Sequence, residues 1–389
     1  MTVAEHRVQV FAAPMSGHRD AGYGLFADTL LALVQHRLEI LRHDTFDLSQ
    51  LRPLNAYVDS AVKWFMLEHR KQPFHLVVSR YEPIASAVAA FWAHRSTGLP
   101  WIATYNDPMP RRVSPRPGPM RLWDRHRNHF QFKWVERFLL TPSWCVFPSE
   151  HLREWTLQTA SQASIPTVKV RRCSSIIPHI GGLLSHSYAF DIAQAASTNS
   201  PVLRHHGCLS QARDVTTFLQ ALDIWNNTTD APPISIEFIG RNRGQVDKIQ
   251  RFVQRGSAKV DIAIRPEVGA DEAFALMQST TVCLLIEQPA QESIYLPSKF
   301  CDYAVAGCPI LAITSDKGAV RDYLQQYGGG LSVVHGDAQG TFAALRTLIE
   351  GKVAPSPALA NQFNPSVIVR AWEQVLSDLL CPTDKAVGT

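Results

Sequence analysis

Short apolar runs alternate with amphipathic stretches along most of this chain, and that alternation restricts its fold more than any other feature of the sequence. A short apolar run closed by turn residues indicates a buried strand, whereas an amphipathic stretch indicates a helix. Strands joined by helices predict parallel sheets, because parallel neighbours need a crossover connection. The predicted strands are residues 7–13, 75–79, 101–105 and 145–149 in the first half, and 202–206, 234–239, 260–264, 281–286, 309–313 and 331–334 in the second.

The alternation breaks once, in a stretch that contains Gly181, Gly182 and several Ser, Ala and Asn residues. A chain of 389 residues is too long for one ordinary core and fits two domains. We therefore predict an α/β protein with two Rossmann-like doubly wound domains. In such sheets ligands bind beyond the carboxyl ends of the strands, so the residues just after each strand are the candidates for a site. The predicted parts are residues 1–178, a linker over 179–200, residues 201–364, and a helix with a tail over 365–389.

The composition is that of a globular protein, with 46% apolar and 19% charged residues. A net charge of +4 makes a nucleic-acid partner disfavoured. The seven cysteines form no C-x-x-C pair, which argues against a disulfide framework and suits a reducing cytoplasm. The N-terminus lacks the apolar core of a signal peptide, and the longest apolar run, residues 83–93, is about half of what a bilayer requires. We expect a cytoplasmic protein, with peripheral contact at the inner membrane face left open.

A glycine and an arginine follow the strand 202–206. Gly207 allows the backbone to approach a ligand closely. Arg213 precedes the predicted helix 214–225 and adds a fork of donors to the free N–H groups of a helix start, which suits a diphosphate. An ordinary strand–turn–helix with a surface arginine has the same pattern.

The segment 296–312 reads LPSKFCDYAVAGCPILA. Lys299 and Asp302 are three residues apart and would share one helix face, with Phe300, Tyr303 and Ala304 packed inward. A lysine near a helix start can reach phosphates, and an acidic side chain can accept the hydroxyls of a ribose. A helix with a solvent-exposed ion pair would show the same residues.

This segment resembles the PSKLFEYLAAGKPVLA signature of the GT-B glycosyltransferases called glycosyl transferases group 1, or family 4. The order of motifs is also similar, with Gly207 and Arg213, then Gly240 after a strand, then this segment, then three glycines at 328–330. The resemblance covers residues 201–380 well and the first half loosely. It implies two Rossmann-like domains facing a central cleft, with the helix 365–380 crossing back onto the first domain.

The resemblance also implies roles for particular residues. Arg213 and Lys299 match the basic residues on the donor diphosphate, and Asp302 matches the acid that binds the nucleotide ribose. The loop that begins at Arg265 matches the place of the base. The remaining residues matched to the donor site are Gly207, Gly240, Arg241 and Glu292.

Three positions depart from the family pattern. Cys208 stands where an arginine often follows the first glycine, which leaves more of the charge to Arg213. The first acid of the family's Glu-x7-Glu pair falls at Ile294, so Glu292 is the candidate near the donor sugar. Asn106 occupies the place of a histidine after the third strand of the first domain, and Asp107 supplies an acid beside it. Asn106, Asp107, Arg213 and Lys299 are therefore the predicted catalytic residues.

Two segments of the first half are further candidates. The glycines after the first strand do not have dinucleotide spacing, and we interpret them as a loop facing the acceptor or the donor phosphate, or as plain turn glycines. Residues 111–137 hold eight Lys or Arg against two acids, interleaved with aromatic residues. Such a mixture suits an anionic membrane or a phosphorylated acceptor, and equally a solvated helix whose aromatic residues pack inside. The loop glycines are Gly17, Gly22 and Gly24.

The sequence contains no D-x-D motif and no metal-ligand spacing, so we expect neither a metal nor a cofactor. The predicted reaction moves a sugar from a nucleoside-diphosphate sugar to an acceptor hydroxyl, and the resemblance implies retention of configuration. The acceptor, whether glycan, lipid-linked or small molecule, stays open, as does a role in surface glycan or glycoconjugate synthesis. The alternatives are a sugar-nucleotide 2-epimerase of the same fold and a non-enzymatic two-domain ligand-binding protein. A Rossmann dehydrogenase is disfavoured because the dinucleotide fingerprint is missing.

Overall fold

A computed structural model describes most of the chain as two compact units. One unit comprises Met1–His179 with Ile368–Thr389, and the other comprises Ile180–Val367. The glycines Gly17, Gly22 and Gly24 lie outside the described residues, as does all but the end of the basic segment 111–137. The described residues are 7–11, 39–42, 54–81, 84–108, 136–182, 200–241 and 244–380.

The first unit is built on a six-stranded parallel sheet with the order β2-β1-β3-β4-β5-β6. The order 2-1-3-4-5 is that of flavodoxin-like doubly wound sheets, in which the switch point lies between the first and third strands. The strands are β1 Arg7–Phe11, β2 Glu39–Arg42, β3 Leu76–Arg80, β4 Trp101–Thr104, β5 Trp144–Phe147 and β6 Ser174–Ile176. The helices between them are Leu54–Lys71, Ile84–Thr97, Glu150–Gln162 and Val168–Arg172.

The second unit is built on another six-stranded parallel sheet, with the order β14-β12-β10-β7-β8-β9. Its strands are β7 Val202–His206, β8 Ile234–Ile239, β9 Val260–Arg265, β10 Val282–Ile286, β12 Ile310–Thr314 and β14 Gly330–Val334. Counted within the unit, this is the 3-2-1-4-5-6 order of a Rossmann fold, with the switch point between β7 and β10. A small parallel sheet pairs β11 Glu292–Ser293 with β13 Lys317–Gly318.

Helices cover both faces of the second sheet. One face packs against Phe218 and Trp225, and the other against Phe300 and Tyr303, all of them fully buried. The central strands β10 and β12 are accordingly buried along their whole length and almost wholly apolar, as a strand covered on both faces requires. The helices are Thr216–Asn227, Val246–Gln254, Ala270–Gln278, Ser298–Ala306, Ala319–Tyr327, Ala338–Ile349 and Pro357–Gln362.

The last helix, Pro365–Leu380, begins and ends where the sequence predicts. Its buried residues follow the 3.6-residue period of a helix with one apolar stripe. From Ile368 onward the helix is grouped with the first unit. The buried residues are Ile368, Val369, Trp372, Val375 and Leu376.

The sequence places the ten predicted strands within two residues of their observed ends, and a strand expected to end at residues 177–179 matches β6, but the sequence misses β2, β11 and β13. Four-residue β2 is too short and too charged to show an apolar run. The pair β11 and β13 consists of two residues each, Glu292–Ser293 and Lys317–Gly318. Such strands form because two loops meet in the folded chain, which no local pattern reports.

Candidate functional site

The ends of β7 and β8 bring Gly207 and Gly240 into backbone contact next to the switch point. Both have positive φ, 114° for Gly207 and 133° for Gly240, which residues other than glycine rarely adopt. A Cβ on Gly240 would lie 2.4 Å from the carbonyl oxygen of Gly207. A Cβ on Gly207 would lie 3.9 Å from Cγ of Lys299. The glycine predicted to approach a ligand therefore borders the lysine predicted to bind its phosphates.

Lys299 is the second residue of the helix Ser298–Ala306. The residue before this helix is Pro297, which provides no side-chain cap, so the helix start keeps N–H groups for an anion. Nζ of Lys299 donates to Oδ2 of Asp302 at 3.1 Å. An ammonium group has three N–H donors, so two remain for a ligand.

Tyr303 fixes the same helix to the switch point. Its hydroxyl accepts a hydrogen bond from the backbone N–H of His206 at 2.8 Å and donates to the carbonyl of Leu284 at 3.4 Å. His206 ends β7 and Leu284 belongs to β10. One buried side chain thus ties the helix that carries Lys299 to both strands of the switch point.

Arg213 lies in the loop after β7, and its Nη1 donates to the carbonyl of Cys208 at 3.2 Å. Arg213 makes no ion pair with any residue that the structure describes, so its charge is open to a ligand. Gln245 steadies this loop, because its amide donates to the carbonyls of Ser210 and Gln211, each at 3.2 Å.

Two buried histidines end β7 beneath these cations. Burial, followed by the charge of Arg213, lowers the pKa of His205 to about 4. Burial, followed by the charge of Lys299, lowers the pKa of His206 to about 3. Both imidazoles are neutral at pH 7. The sequence shows them as adjacent histidines at a strand end, but only the fold shows that they are buried near Arg213 and Lys299.

Asp302 is buried, with 8% exposure, and so is not part of a solvent-exposed ion pair. One carboxylate oxygen accepts from Lys299, and Oδ1 accepts from the backbone N–H of Gly182 at 3.1 Å. Its place beside Lys299 on one helix face is as predicted. The bond to Gly182 was not predictable, because 120 residues separate the two groups.

Acids neutralise the cations after β8 and β9. Arg241 pairs with Glu267 at 2.8 Å. Arg265 pairs with Glu237 at 3.3 Å and with Glu272 at 3.7 Å. Both arginines lie at the carboxyl edge of the sheet, as predicted, but their charges are already matched.

Glu292 belongs to β11, where its backbone pairs with Lys317 and its side chain is exposed. A different acid, Glu287, lies directly at the end of β10 with 4% exposure. It accepts hydrogen bonds from the hydroxyls of Ser293, at 2.7 Å, and Thr314. Glu287 thus joins the end of β10 to β11 and to the last residue of β12. The sequence signal that could have identified Glu287 is its position as a lone acid directly after an all-apolar strand.

In the first unit, Asn106 and Asp107 follow β4, and both are partly buried. The preceding residue, Tyr105, is fully buried and stacks on Phe147 with ring centroids 4.9 Å apart. Its hydroxyl donates to the carbonyl of Phe138. The chain is therefore held firmly just before the two predicted catalytic residues.

Within the described parts of the chain, no three His, Cys, Asp or Glu side chains come together as a metal site would require. Among the described helices, none is both long enough and apolar enough to cross a membrane.

No family model matches the chain, and no curated protein matches its sequence. Solved structures do match over nearly the whole chain. Sucrose-phosphate synthase from Thermosynechococcus elongatus superposes with a TM-score of 0.68 and 13% identity, covering 97% of this chain and 100% of the other. Anabaena HepE, solved with UDP-glucose, has a TM-score of 0.63 and 14% identity, covering 96% and 100%.

A Listeria monocytogenes protein named as a UDP-N-acetylglucosamine 2-epimerase also matches, with a TM-score of 0.62 and 9% identity over 97% of each chain. Identities this low establish the fold alone. The chain therefore has the GT-B fold, with two Rossmann-like α/β domains built on parallel sheets.

Proposed function

We propose that this protein is a glycosyltransferase that moves a sugar from a nucleoside-diphosphate sugar to an acceptor hydroxyl. The observation that carries the proposal is the grouping at the switch point of the second unit. There Gly207 borders Lys299 at an uncapped helix start, and the loop after Gly207 bears Arg213, which has no acidic partner among the described residues. Exposed backbone N–H groups with two cations suit a diphosphate.

The donor diphosphate is proposed to lie against Lys299, Arg213 and the start of the helix Ser298–Ala306. As the glycosidic bond breaks, negative charge grows on the leaving phosphate, and these groups stabilise it more in the transition state than in the ground state. Two cations and a helix start supply the neutralisation for which other enzymes use a metal ion. We therefore propose a reaction that needs none.

The nucleoside is proposed to extend from the diphosphate toward β9. Asp302 would accept a ribose hydroxyl in addition to its present partners, since each carboxylate oxygen can accept more than one hydrogen bond. The base would lie along the backbone at Arg265. Because HepE was solved with UDP-glucose, a UDP-sugar is the first donor to test.

The acceptor is proposed to bind the first unit, near Asn106 and Asp107, with the glycines Gly17, Gly22 and Gly24 in the same role. Glu292 is the candidate for contact with the donor sugar. We propose retention of anomeric configuration and a cytoplasmic enzyme of glycan or glycoconjugate synthesis, acting on a glycan, lipid-linked or small-molecule acceptor. Peripheral contact of residues 111–137 with an anionic membrane belongs to the same proposal.

A 2-epimerase is the second candidate, because one of the matching structures carries that name. The two reactions leave different products. An epimerase converts UDP-N-acetylglucosamine without an acceptor and keeps the sugar attached to UDP, whereas a transferase releases UDP. Incubation with UDP-sugars, followed by chromatography of nucleotides and sugars, separates them. Conversion to an epimer without UDP release would overturn the transferase proposal.

The proposal is tested by calorimetric titration of UDP, GDP, dTDP and ADP and of their sugars. Binding of at least one nucleotide sugar is expected, and Arg213→Ala should weaken it about 10- to 100-fold, the usual effect of losing a hydrogen bond to a charged group. Arg255→Ala is the matched control, because Arg255 pairs with Asp223 on a helix surface of the same unit. Equal affinity in both variants would contradict the proposal.

A further inference from the structure

The chain enters the second unit directly on the helix that carries Lys299. The boundary between the units falls at His179 and Ile180. A Cβ on Gly181 would lie 2.4 Å from the carbonyl oxygen of Cys301, and a Cβ on Gly182 would lie 2.9 Å from Val305. Gly182 also has φ of 73°. Only glycines let the entering chain lie this close to the helix Ser298–Ala306.

The segment by which the chain leaves the second unit rests on the same helix. The N–H of Gly181 donates to the carbonyl of Phe363 at 2.8 Å, four residues before the boundary at Val367. The fully buried ring of Phe363 packs on Phe300 of the helix, with centroids 5.6 Å apart. Both connecting segments are therefore anchored to one nine-residue helix.

Asp302 joins the entering segment to the phosphate site. Its Oδ1 accepts from the N–H of Gly182 and its Oδ2 from Nζ of Lys299, both at 3.1 Å. The carboxylate is buried, so each of its oxygens needs a partner to offset the loss of water. A ligand that holds Lys299 in place therefore also holds the Asp302 carboxylate, whose other oxygen accepts the hydrogen bond from Gly182.

We propose that Asp302 is a positioning residue that couples binding of a nucleoside diphosphate at Lys299 to the docking of Gly182 where the chain enters the second unit. This inference rests on the proposed function, because it takes Lys299 to be a phosphate ligand. A phosphate that engages the two remaining N–H donors of Lys299 holds the ammonium against Asp302. Since coupling free energy is reciprocal, a docked Gly182 in turn favours the bound nucleotide.

The test compares Asp302→Asn with wild type, using UDP and inorganic pyrophosphate as ligands. Asparagine keeps a carbonyl oxygen for the N–H of Gly182 but presents an NH2 group, which cannot accept a hydrogen bond from Lys299. We expect about tenfold weaker binding of both ligands, within the usual range of coupling between sites. A residue that served only the ribose would leave pyrophosphate binding unchanged, and that result would overturn the inference.

Hydrogen exchange at the amide of Gly182 provides the second readout. UDP should slow this exchange in wild type and have no effect in Asp302→Asn, whose exchange without ligand stays close to wild type. Lys299→Met keeps Asp302 and Gly182 intact and should also abolish the effect of UDP, so the inference stays testable if Asp302→Asn folds poorly. Protection of Gly182 by UDP in either variant, as in wild type, would contradict it.

Failure of the inference differs from failure of the proposed function. If wild type binds neither UDP-sugars nor other nucleotides, and Arg213→Ala changes nothing, the phosphate site itself is wrong. If Arg213→Ala weakens binding but Asp302→Asn does not, the site stands and the coupling through Asp302 is excluded.

Discussion

The carboxyl edge of the second sheet has two regions with basic residues, and they differ in whether those residues have acid partners. After β8 and β9 each cation already has an acid partner, because Arg241 pairs with Glu267 and Arg265 pairs with Glu237 and Glu272. At the end of β7, in what we call the β7 region, Arg213 and the neighbouring Lys299 have a single acid partner among the described residues, Asp302, which pairs with Lys299. Of these cations only Arg213 and Lys299 outnumber their acid partners, and Lys299 lies at an uncapped helix start.

This difference shows that the number of basic residues near a sheet edge is a poor guide to an anion site. A cation already held by a carboxylate must give up that partner before it can serve a phosphate. Arg213 is not held in this way, and Lys299, although it pairs with Asp302, keeps two N–H donors for a ligand.

The largest effect is expected from removing both cations of the β7 region. The double variant Arg213→Ala/Lys299→Ala should lose about 4 kcal/mol of UDP-binding free energy, or roughly 1,000-fold in Kd, because two hydrogen bonds from charged groups are lost. Calorimetric titration measures this loss, and circular dichroism checks that the variant is folded. A loss below tenfold would remove the basis for distinguishing the two regions.

Gly240→Ala should have a smaller effect, and on the unfolding free energy instead of on UDP binding. Its Cβ would lie 2.4 Å from the carbonyl oxygen of Gly207 at a φ of 133°, so the ends of β7 and β8 must separate. We expect a loss of about 2–3 kcal/mol in unfolding free energy, more than backbone strain alone costs.

Gly256→Ala is the control for that substitution. Gly256 also has positive φ, 72°, but no atom of the described residues lies within 4 Å of an added Cβ. It should cost about 1 kcal/mol in urea unfolding. Equal losses in the two variants would mean that the close approach of Gly207 and Gly240 does not constrain the β7 region.

Low pH should lower the unfolding free energy by protonating the two histidines of β7 in the unfolded chain. Their pKa values, about 4 for His205 and about 3 for His206, lie below the usual 6.5 of an unfolded chain, so the unfolded state takes up protons first. The neutral imidazoles therefore contribute full stability above about pH 6.5 and lose it as the pH falls toward 4 and 3. At pH 5 the loss is about 2 kcal/mol for each imidazole.

Urea unfolding at several pH values measures that loss. His206→Phe should lose less stability than wild type between pH 7 and pH 5, by about 2 kcal/mol. Comparing the pH dependence of the unfolding free energy in variant and wild type removes any constant cost of repacking the ring. Parallel slopes for variant and wild type would show that His206 titrates normally and is not buried as described.

The smallest effect on UDP affinity and on stability is expected from substituting Arg241, which follows β8. Arg241 and its partner Glu267 are both exposed, and exposed ion pairs contribute little. Arg241→Ala should change UDP affinity by no more than about twofold and unfolding free energy by less than about 0.5 kcal/mol. A tenfold loss of affinity would place Arg241 on the phosphates and erase the contrast between the regions.

Much of the second unit could be predicted because its strands are separate apolar runs and its helices carry single apolar stripes. β7 and β8 have the predicted ends, and Lys299 and Asp302 share a helix face as their spacing requires. What could not be predicted depends on contacts distant in sequence. Gly182 meets Asp302 across 120 residues, and Glu287 gains its role only when Thr314 arrives from a neighbouring strand.

The claim that the β7 region binds the diphosphate is tested by titrating UDP into Lys299→Ala and wild type, with Arg255→Ala as control. If the β7 region binds the diphosphate, Lys299→Ala weakens binding about 10- to 100-fold and Arg255→Ala leaves it unchanged. Unchanged affinity for UDP in Lys299→Ala, with wild type binding UDP, would contradict the claim.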